Sequence, residues 1–251
     1  MAAGEKPRVV ASIEARMSAS RLPGKVLMDV AGEPALERLV RRLERASMVD
    51  AIVLATTVNP ADDAVAAWAD RRGLPCYRGS EEDVLDRVVQ AQRGMASDIV
   101  VEVCGDTPLL DPRVIDHAVT KFLSGGFDVV SNTARVTWPQ GIDAQVFRLA
   151  DLAKVAETQG DPAVREHVSL YFYEHPEKYR IHHLLAPAAE TAPDLRLQLD
   201  YAEDLALIRA VHERLLPAHG DAFGVPEILA LFDWEPALRD LNRHCEEKSP
   251  R

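Results

Sequence analysis

Arg16, Arg21 and Lys25 fall within ten residues of one another in a chain of formal net charge −11. The stretch reads Glu14-Ala15-Arg16-Met17-Ser18-Ala19-Ser20-Arg21-Leu22-Pro23-Gly24-Lys25. Backbone N–H groups combined with Arg and Lys suit a polyphosphate, because guanidinium offers a planar fork and ammonium a point charge. Small residues at 18–20 and Gly24 let the backbone come close to a ligand. The same composition also fits a basic surface loop with solvated side chains. Neither common nucleotide motif is present. No GxGxxG follows the first apolar run, position 19 is Ala where a P-loop would begin with Gly, and Gly24-Lys25 is followed by Val26.

Two aspartates could complete such a site. Asp106 lies in Cys104-Gly105-Asp106-Thr107-Pro108, at the end of the stretch Val100–Val103, which reads as a strand. Asp200 ends the alternating stretch Leu195-Arg196-Leu197-Gln198-Leu199. Mg²⁺ takes oxygen ligands, usually one or two carboxylates plus substrate phosphates. Each aspartate also has a plain structural reading. Asp106 can cap its own turn, and Asp200 can be the N-cap of the helix that follows, with Glu203 completing a capping box. His167 falls in a helical pattern with Val164, Val168 and Tyr171, which favours a packed histidine. His182-His183 lacks a partner at metal-ligand spacing and reads as structural.

These residues must be positioned by the elements around them. Arg8–Ile13, Ala51–Ala55, Leu74–Tyr77, Asp98–Val103 and Phe127–Ser131 read as strands. Pro34–Ala46 reads as a helix, since Leu36, Leu39, Val40 and Leu43 share one face. Asn59-Pro60 and Asp111-Pro112 are N-cap and first-turn signals. Ser80-Glu81-Glu82-Asp83 reads as a capping box. Strand and helix in alternation predict a mostly parallel sheet covered on both faces, whose ligands bind beyond the carboxyl ends of the strands. Residues 132–200 break the rhythm. They hold helical patterns near 148–158 and 162–175 between strands near 142–147, 180–185 and 195–199, and are expected to form an inserted α+β lobe within one domain spanning 1–251. From about 202 the tail reads as helical.

Composition narrows the class. With 251 residues, 47% of them apolar, the chain can bury a large core. The acidic balance disfavours a general nucleic-acid or anionic-membrane binder. No apolar run reaches the length of a membrane span, and the first residues lack the pattern of a signal peptide. Cys76, Cys104 and Cys245 are odd in number and widely spaced, so reduced thiols in a cytoplasm are expected.

Taken together, Ala15–Leu27, Arg78–Arg87, the block Gly105-Asp106-Thr107-Pro108-Leu109-Leu110 and the Asp200 segment resemble the cytidylyltransferases that make CMP-activated sugar acids. The likeness runs from about residue 8 to 214 and leans toward the spore-coat polysaccharide F-type proteins, with CMP-octulosonate and CMP-acylneuraminate synthetases more distant. It implies a Rossmann-like sheet of the nucleotide-diphospho-sugar transferase type, CTP as donor and an acidic sugar as acceptor. It implies Mg²⁺ on Asp106 and Asp200, and triphosphate contacts from Arg16 and Lys25, with Ala15, Arg21 and Gly24 in the same loop. Arg78, Ser80 and Arg87 are placed by the same likeness near cytosine or ribose. Gly141 and Asp143, with Glu166 and His167, match the acceptor-side blocks. The relatives commonly pair as homodimers through the lobe, where the run Leu170-Tyr171-Phe172-Tyr173 could serve the interface or the core.

The chain departs from its kin at Glu14, where the F-type pattern has Gln, at Cys104, where the octulosonate enzymes have Gln, and at Gln140, where Asp is common. Rival readings are a glycosyltransferase of the same sheet type, a nucleotidyltransferase for another base, and a non-catalytic nucleotide-binding homologue. The first is disfavoured because Cys104-Gly105-Asp106 supplies one aspartate where such enzymes often carry two.

Overall fold

The computed structural model describes residues 6–246. In chain order the elements are β1 (Val9–Glu14), a small hairpin of β2 (Asp29–Val30) and β3 (Glu33–Pro34), α1 (Ala35–Leu43), β4 (Ala51–Thr57), α2 (Asp63–Arg72), β5 (Cys76–Gly79), α3 (Val84–Gly94), β6 (Ile99–Cys104), α4 (Pro112–Leu123), β7 (Val129–Ser131), β8 (Gln145–Arg148), α5 (Leu149–Thr158), α6 (Pro162–Glu166), α7 (Leu170–Glu174), β9 (Ile181–His183), α8 (Ala202–His219) and α9 (Val225–Trp234). Among the described residues, seven strands form one sheet in the order β5-β4-β1-β6-β8-β7-β9. β1 runs parallel to β4 and β6, while β8 is antiparallel to β6 and β7.

β1 is central, which explains its apolar run: a strand covered on both faces needs no polar alternation. Val9, Ala11 and Ile13 point into the larger core, with α1, α4, α8 and α9. Val100 of β6, Val129 of β7 and Phe147 of β8 face the other side, under α3 and α5–α7. Leu36, Leu39, Val40 and Leu43 of α1 are all fully buried, as their spacing predicts; each contributes about 1.5–3 kcal/mol by leaving water. Asn59 caps the turn that leads into α2, accepting from Ala61 N at 2.9 Å, and Asp111 caps α4, accepting from Arg113 N at 2.9 Å.

Several local expectations are corrected. The cap of α3 is Asp83, which accepts from Asp86 N at 2.9 Å, rather than Ser80. The cap of α8 is Tyr201, with Asp204 closing the box; Asp200 and Glu203 do neither. Residues 195–199 form no ladder strand, only a parallel bridge between Gln140 and Arg196. The helical pattern of 162–175 is broken into α6 and α7, and His167 is the exposed C-cap residue at the break, so it is not a packed histidine. Residues 145–148 and 181–183 join the main sheet as β8 and β9. Leu170 and Phe172 are buried with Phe147, which assigns the centre of the aromatic run to the core.

Candidate active site

The order of the sheet reverses at β1, whose parallel neighbours are β4 and β6. That is where an α/β sheet opens a crevice at its carboxyl edge. The loop after β1 and the turn after β6 therefore emerge side by side. Gly105 N donates to Glu14 O at 2.8 Å. A Cβ on Gly105 would sit 2.7 Å from that same oxygen and 2.9 Å from the Ala15 Cβ, so the contact requires glycine. Gly24, at φ +75, then turns the loop back, and Lys25 opens the following 3-10 turn. The third arm is extended. Leu195, Leu197 and Leu199 go into the core, leaving Arg196, Gln198 and Asp200 on the opposite side. Leu199 N donates to Asp106 O at 2.8 Å and fixes this arm against the β6 turn. Gly141 lies behind it at φ +91, where a Cβ would be 2.8 Å from Gln198 N.

These three arms bring Lys25, Asp106 and Asp200 together. Lys25 Nζ lies 2.8 Å from Asp106 Oδ2 and 2.8 Å from Asp200 Oδ1. Burial works against the lysine charge, but the two carboxylates more than offset it and raise its pKa. Arg21 Nη2 is also 2.8 Å from Asp200 Oδ1, and Arg196 Nη2 donates to Asp200 Oδ2 at 2.7 Å. Burial alone would raise the Asp200 carboxyl; Lys25, Arg21 and Arg196 instead hold it below its ordinary value. Arg196 is itself fixed by Asp204, at 3.1 Å. Asp106 Oδ1 is buried and has no hydrogen-bond partner among the described residues.

Arg16 is placed differently. It is half-exposed at the mouth, 3.8 Å from Glu81 and 3.6 Å from Glu166. Glu81 also accepts from Ser18 Oγ at 2.5 Å and Asn59 Nδ2 at 2.8 Å, which ties the loop to the segment before α3. Met17 N donates to the fully buried Asp62 at 2.6 Å. Arg78 braces the β4–α2 connection through Thr57 O at 2.8 Å, Asn59 O at 3.1 Å and Asp63 at 2.7 Å. Arg87 is buried and donates to Ser80 O at 2.5 Å, so Ser80 contributes its carbonyl there while its side chain is exposed. Of the acceptor-side residues, Glu166 reaches Arg16, Gly141 packs on the Asp200 arm, and His167 is exposed; the Glu102 carboxyl is raised by burial first, then by Glu14 and Asp143.

Sequence reasoning passed over Arg196, Gln198, Glu81, Asp62 and Glu102. The alternation Arg196-Leu197-Gln198-Leu199-Asp200 was the signal for the first two, since residues two apart share a face of an extended chain. No local pattern marks Glu102; its significance comes from the neighbours that the sheet supplies.

Residues 10–219 match the cytidylyltransferase family. The spore coat polysaccharide biosynthesis protein SpsF of Bacillus subtilis is 33% identical over 207 residues, covering 80% of this chain and 85% of its own. A solved cytidylyltransferase from Leptospira borgpetersenii is 25% identical, with a TM-score of 0.88 over 97% of this chain and 100% of its own. The structure of a CMP:2-keto-3-deoxy-manno-octonic acid synthetase complexed with CTP shares the fold, with a TM-score of 0.62 and 20% identity over 82% of this chain and 99% of that one. Among the described residues no helix is long and apolar enough to cross a membrane. With its sheet, its crevice and its match over most of its length, this chain belongs to the cytidylyltransferase family and is a nucleotidyltransferase.

Proposed function

We propose that the chain transfers CMP from CTP to a sugar acid or a related acceptor in surface polysaccharide biosynthesis, releasing pyrophosphate, with Mg²⁺ held by Asp106 and Asp200. The observation that carries this reading is the seat between those two aspartates. It already holds a cation, the Lys25 ammonium, at 2.8 Å from each carboxylate. The buried, unpartnered Asp106 Oδ1 leaves an oxygen free for a further ligand bond. An all-oxygen donor set at this place suits a hard divalent ion. When bound, the metal supplies charge that polarises the α-phosphate.

The residues of the chain do the rest. An acceptor oxygen forms a bond to the α-phosphorus, the bond from that phosphorus to the pyrophosphate oxygen breaks, and the acceptor proton leaves to solvent. Lys25 and Arg21, paired with Asp200, are the cations assigned to the triphosphate, where their charge would offset that of the leaving pyrophosphate. Arg196 keeps Asp200 in one orientation. Arg16, tied to Glu81 on one side and Glu166 on the other, links the nucleotide loop to the acceptor side. The setting proposed is a cytoplasmic homodimer; three free cysteines among the described residues fit a reducing compartment, and sedimentation would read the assembly.

The test is pyrophosphate release with CTP, UTP, GTP and ATP, with and without Mg²⁺, over a panel of acceptors. CTP and Mg²⁺ are both expected to be required. Asp106→Ala should abolish turnover while the far-UV spectrum stays unchanged. Equal rates with UTP, or full activity in Asp106→Ala, would overturn the assignment.

A further inference from the structure

Beside the aspartate seat, the same crevice holds a second group of acids that the reaction above leaves without a role. The sheet register pairs Glu14 with Cys104 and Ser12 with Glu102 across β1 and β6, so all four side chains share the face under α3. Glu102 pairs in turn with Gln145 of β8. One ligand atom each of Glu14, Glu102 and Cys104 lies within 4.8 Å of the other two. Glu102 is only 5% exposed, yet its Oε2 has no hydrogen-bond partner among the described residues. The fully buried Ser12 Oγ beside it and the Glu14 Oε1 have none either. Leaving buried polar atoms without partners is costly, and three at one place mark groups set for a ligand that donates.

The charges that surround them say which ligand. Burial, joined by the carboxylates of Glu14 and Asp143, pushes the Glu102 carboxyl well above its ordinary value. On Glu14 the cation Arg87 acts against burial and Asp106, and burial prevails, lifting the carboxyl to about 8. Raised in this way, the two carboxyls keep their protons near neutral pH; a bound cation would draw the protons off and leave two carboxylates as its counter-charge, whereas a carboxylate or phosphate would bring a charge that only Arg87 answers. A small cation that donates hydrogen bonds would be welcomed. Charge-assisted N–H···O bonds of about 2.8 Å around a tetrahedral ammonium place the acceptors roughly 4.6 Å apart, which this group can accommodate. The chain already builds one such cage, since Lys25 sits between two aspartates next door. Glu14, at the rim of β1, is partly exposed and gives access, with Glu102 behind it.

We infer that the acceptor carries a protonated amino group, recognised by Glu14 and Glu102. The inference rests on the CMP-transfer reading and names the acceptor class that reading leaves open: an amino-substituted sugar acid or an amino sugar phosphate.

The experiment compares matched acceptors that differ in one group: 3-deoxy-manno-octulosonate against its mono-amino-deoxy derivatives, and glucosamine phosphate against glucose phosphate. CTP-dependent pyrophosphate release is measured for each. The amine-bearing member of at least one pair should turn over at least tenfold faster than its hydroxyl partner. Glu102→Gln should bring that ratio toward one by raising KM for the amine alone. If Glu102→Gln does not fold, Glu14→Gln, which restores the residue of the F-type relatives, serves in its place. A hydroxyl member that is equal or better, a ratio unmoved by either substitution, or no turnover of any amine overturns the inference. So does a stoichiometric, Cys104-dependent zinc ion in the purified protein, which would make the three residues a metal site. The CTP reading is judged apart from this by Mg²⁺-dependent CTP binding, followed by thermal shift, and by turnover of any member of the panel.

Discussion

Lys25→Met removes the ammonium that two aspartates share and keeps most of the side-chain volume. Breaking a buried ion pair by deleting one partner is destabilising by about 3–5 kcal/mol. Here the loss should fall at the low end, about 3 kcal/mol, because Asp200 keeps Arg21 at 2.8 Å and Arg196 at 2.7 Å. Asp106 has no such reserve. With Lys25 gone it retains one weak contact, from Gln198 Nε2 at 3.4 Å. The vacated seat then lies open to a divalent ion without competition from lysine. A ligand at one hundred times its Kd stabilises by about 2.7 kcal/mol, close to the loss itself. Urea unfolding with and without saturating Mg²⁺ is the assay. The variant should be about 3 kcal/mol less stable than wild type in EDTA and recover most of that in Mg²⁺, while the wild type gains less. Pyrophosphate release should be lost in both conditions, since no ammonium reaches the phosphates. A variant as stable as wild type in EDTA, or one that Mg²⁺ leaves unchanged, would refute the idea that Lys25 and the metal share one seat.

Other outcomes follow from single features. Arg196→Lys keeps the charge but loses the fork that holds Asp200 and Asp204, and kcat should fall by about 10–100-fold with CTP affinity in EDTA unchanged, as isothermal titration would read. Gly141→Ala introduces a Cβ 2.8 Å from Gln198 N at φ +91; unfolding should show a loss of about 1–3 kcal/mol, with activity reduced because the Asp200 arm is pushed. His212 is fully buried, and burial, aided by Arg42 and Arg38, lowers its pKa to about 3 from 6.5. The unfolded chain therefore takes up a proton that the folded chain refuses, and stability is lost as pH falls from 6.5 toward 3. Denaturant midpoints should record about 3 kcal/mol lost between pH 6.5 and 4 from this group, and His212→Leu should flatten that limb.

Much of the site was legible before folding. The cations of residues 16–25, the aspartates at 106 and 200 and the mostly parallel sheet follow from residue type, spacing and the alternation of strand and helix, because these are local or periodic properties. Even the face shared by Arg196, Gln198 and Asp200 is written in the period of an extended chain. What the sequence could not decide is who pairs with whom. Nothing local says that Lys25 and Arg21 meet Asp200 across some 175 positions of chain, or that Arg16, in the same loop, turns instead to Glu81 and Glu166. Caps shifted for the same reason. Asp83 displaced Ser80, and Asp204 displaced Glu203, because packing set where each helix began. Glu102 reads as an ordinary polar interruption of an apolar strand until β1 sets Ser12 beside it and Glu14 on the same face. Only then does its unpartnered oxygen, buried among other acids, acquire a chemical meaning. Local physics names the groups that can carry charge; the sheet, by fixing register and burial, decides which of those charges must be answered by a ligand.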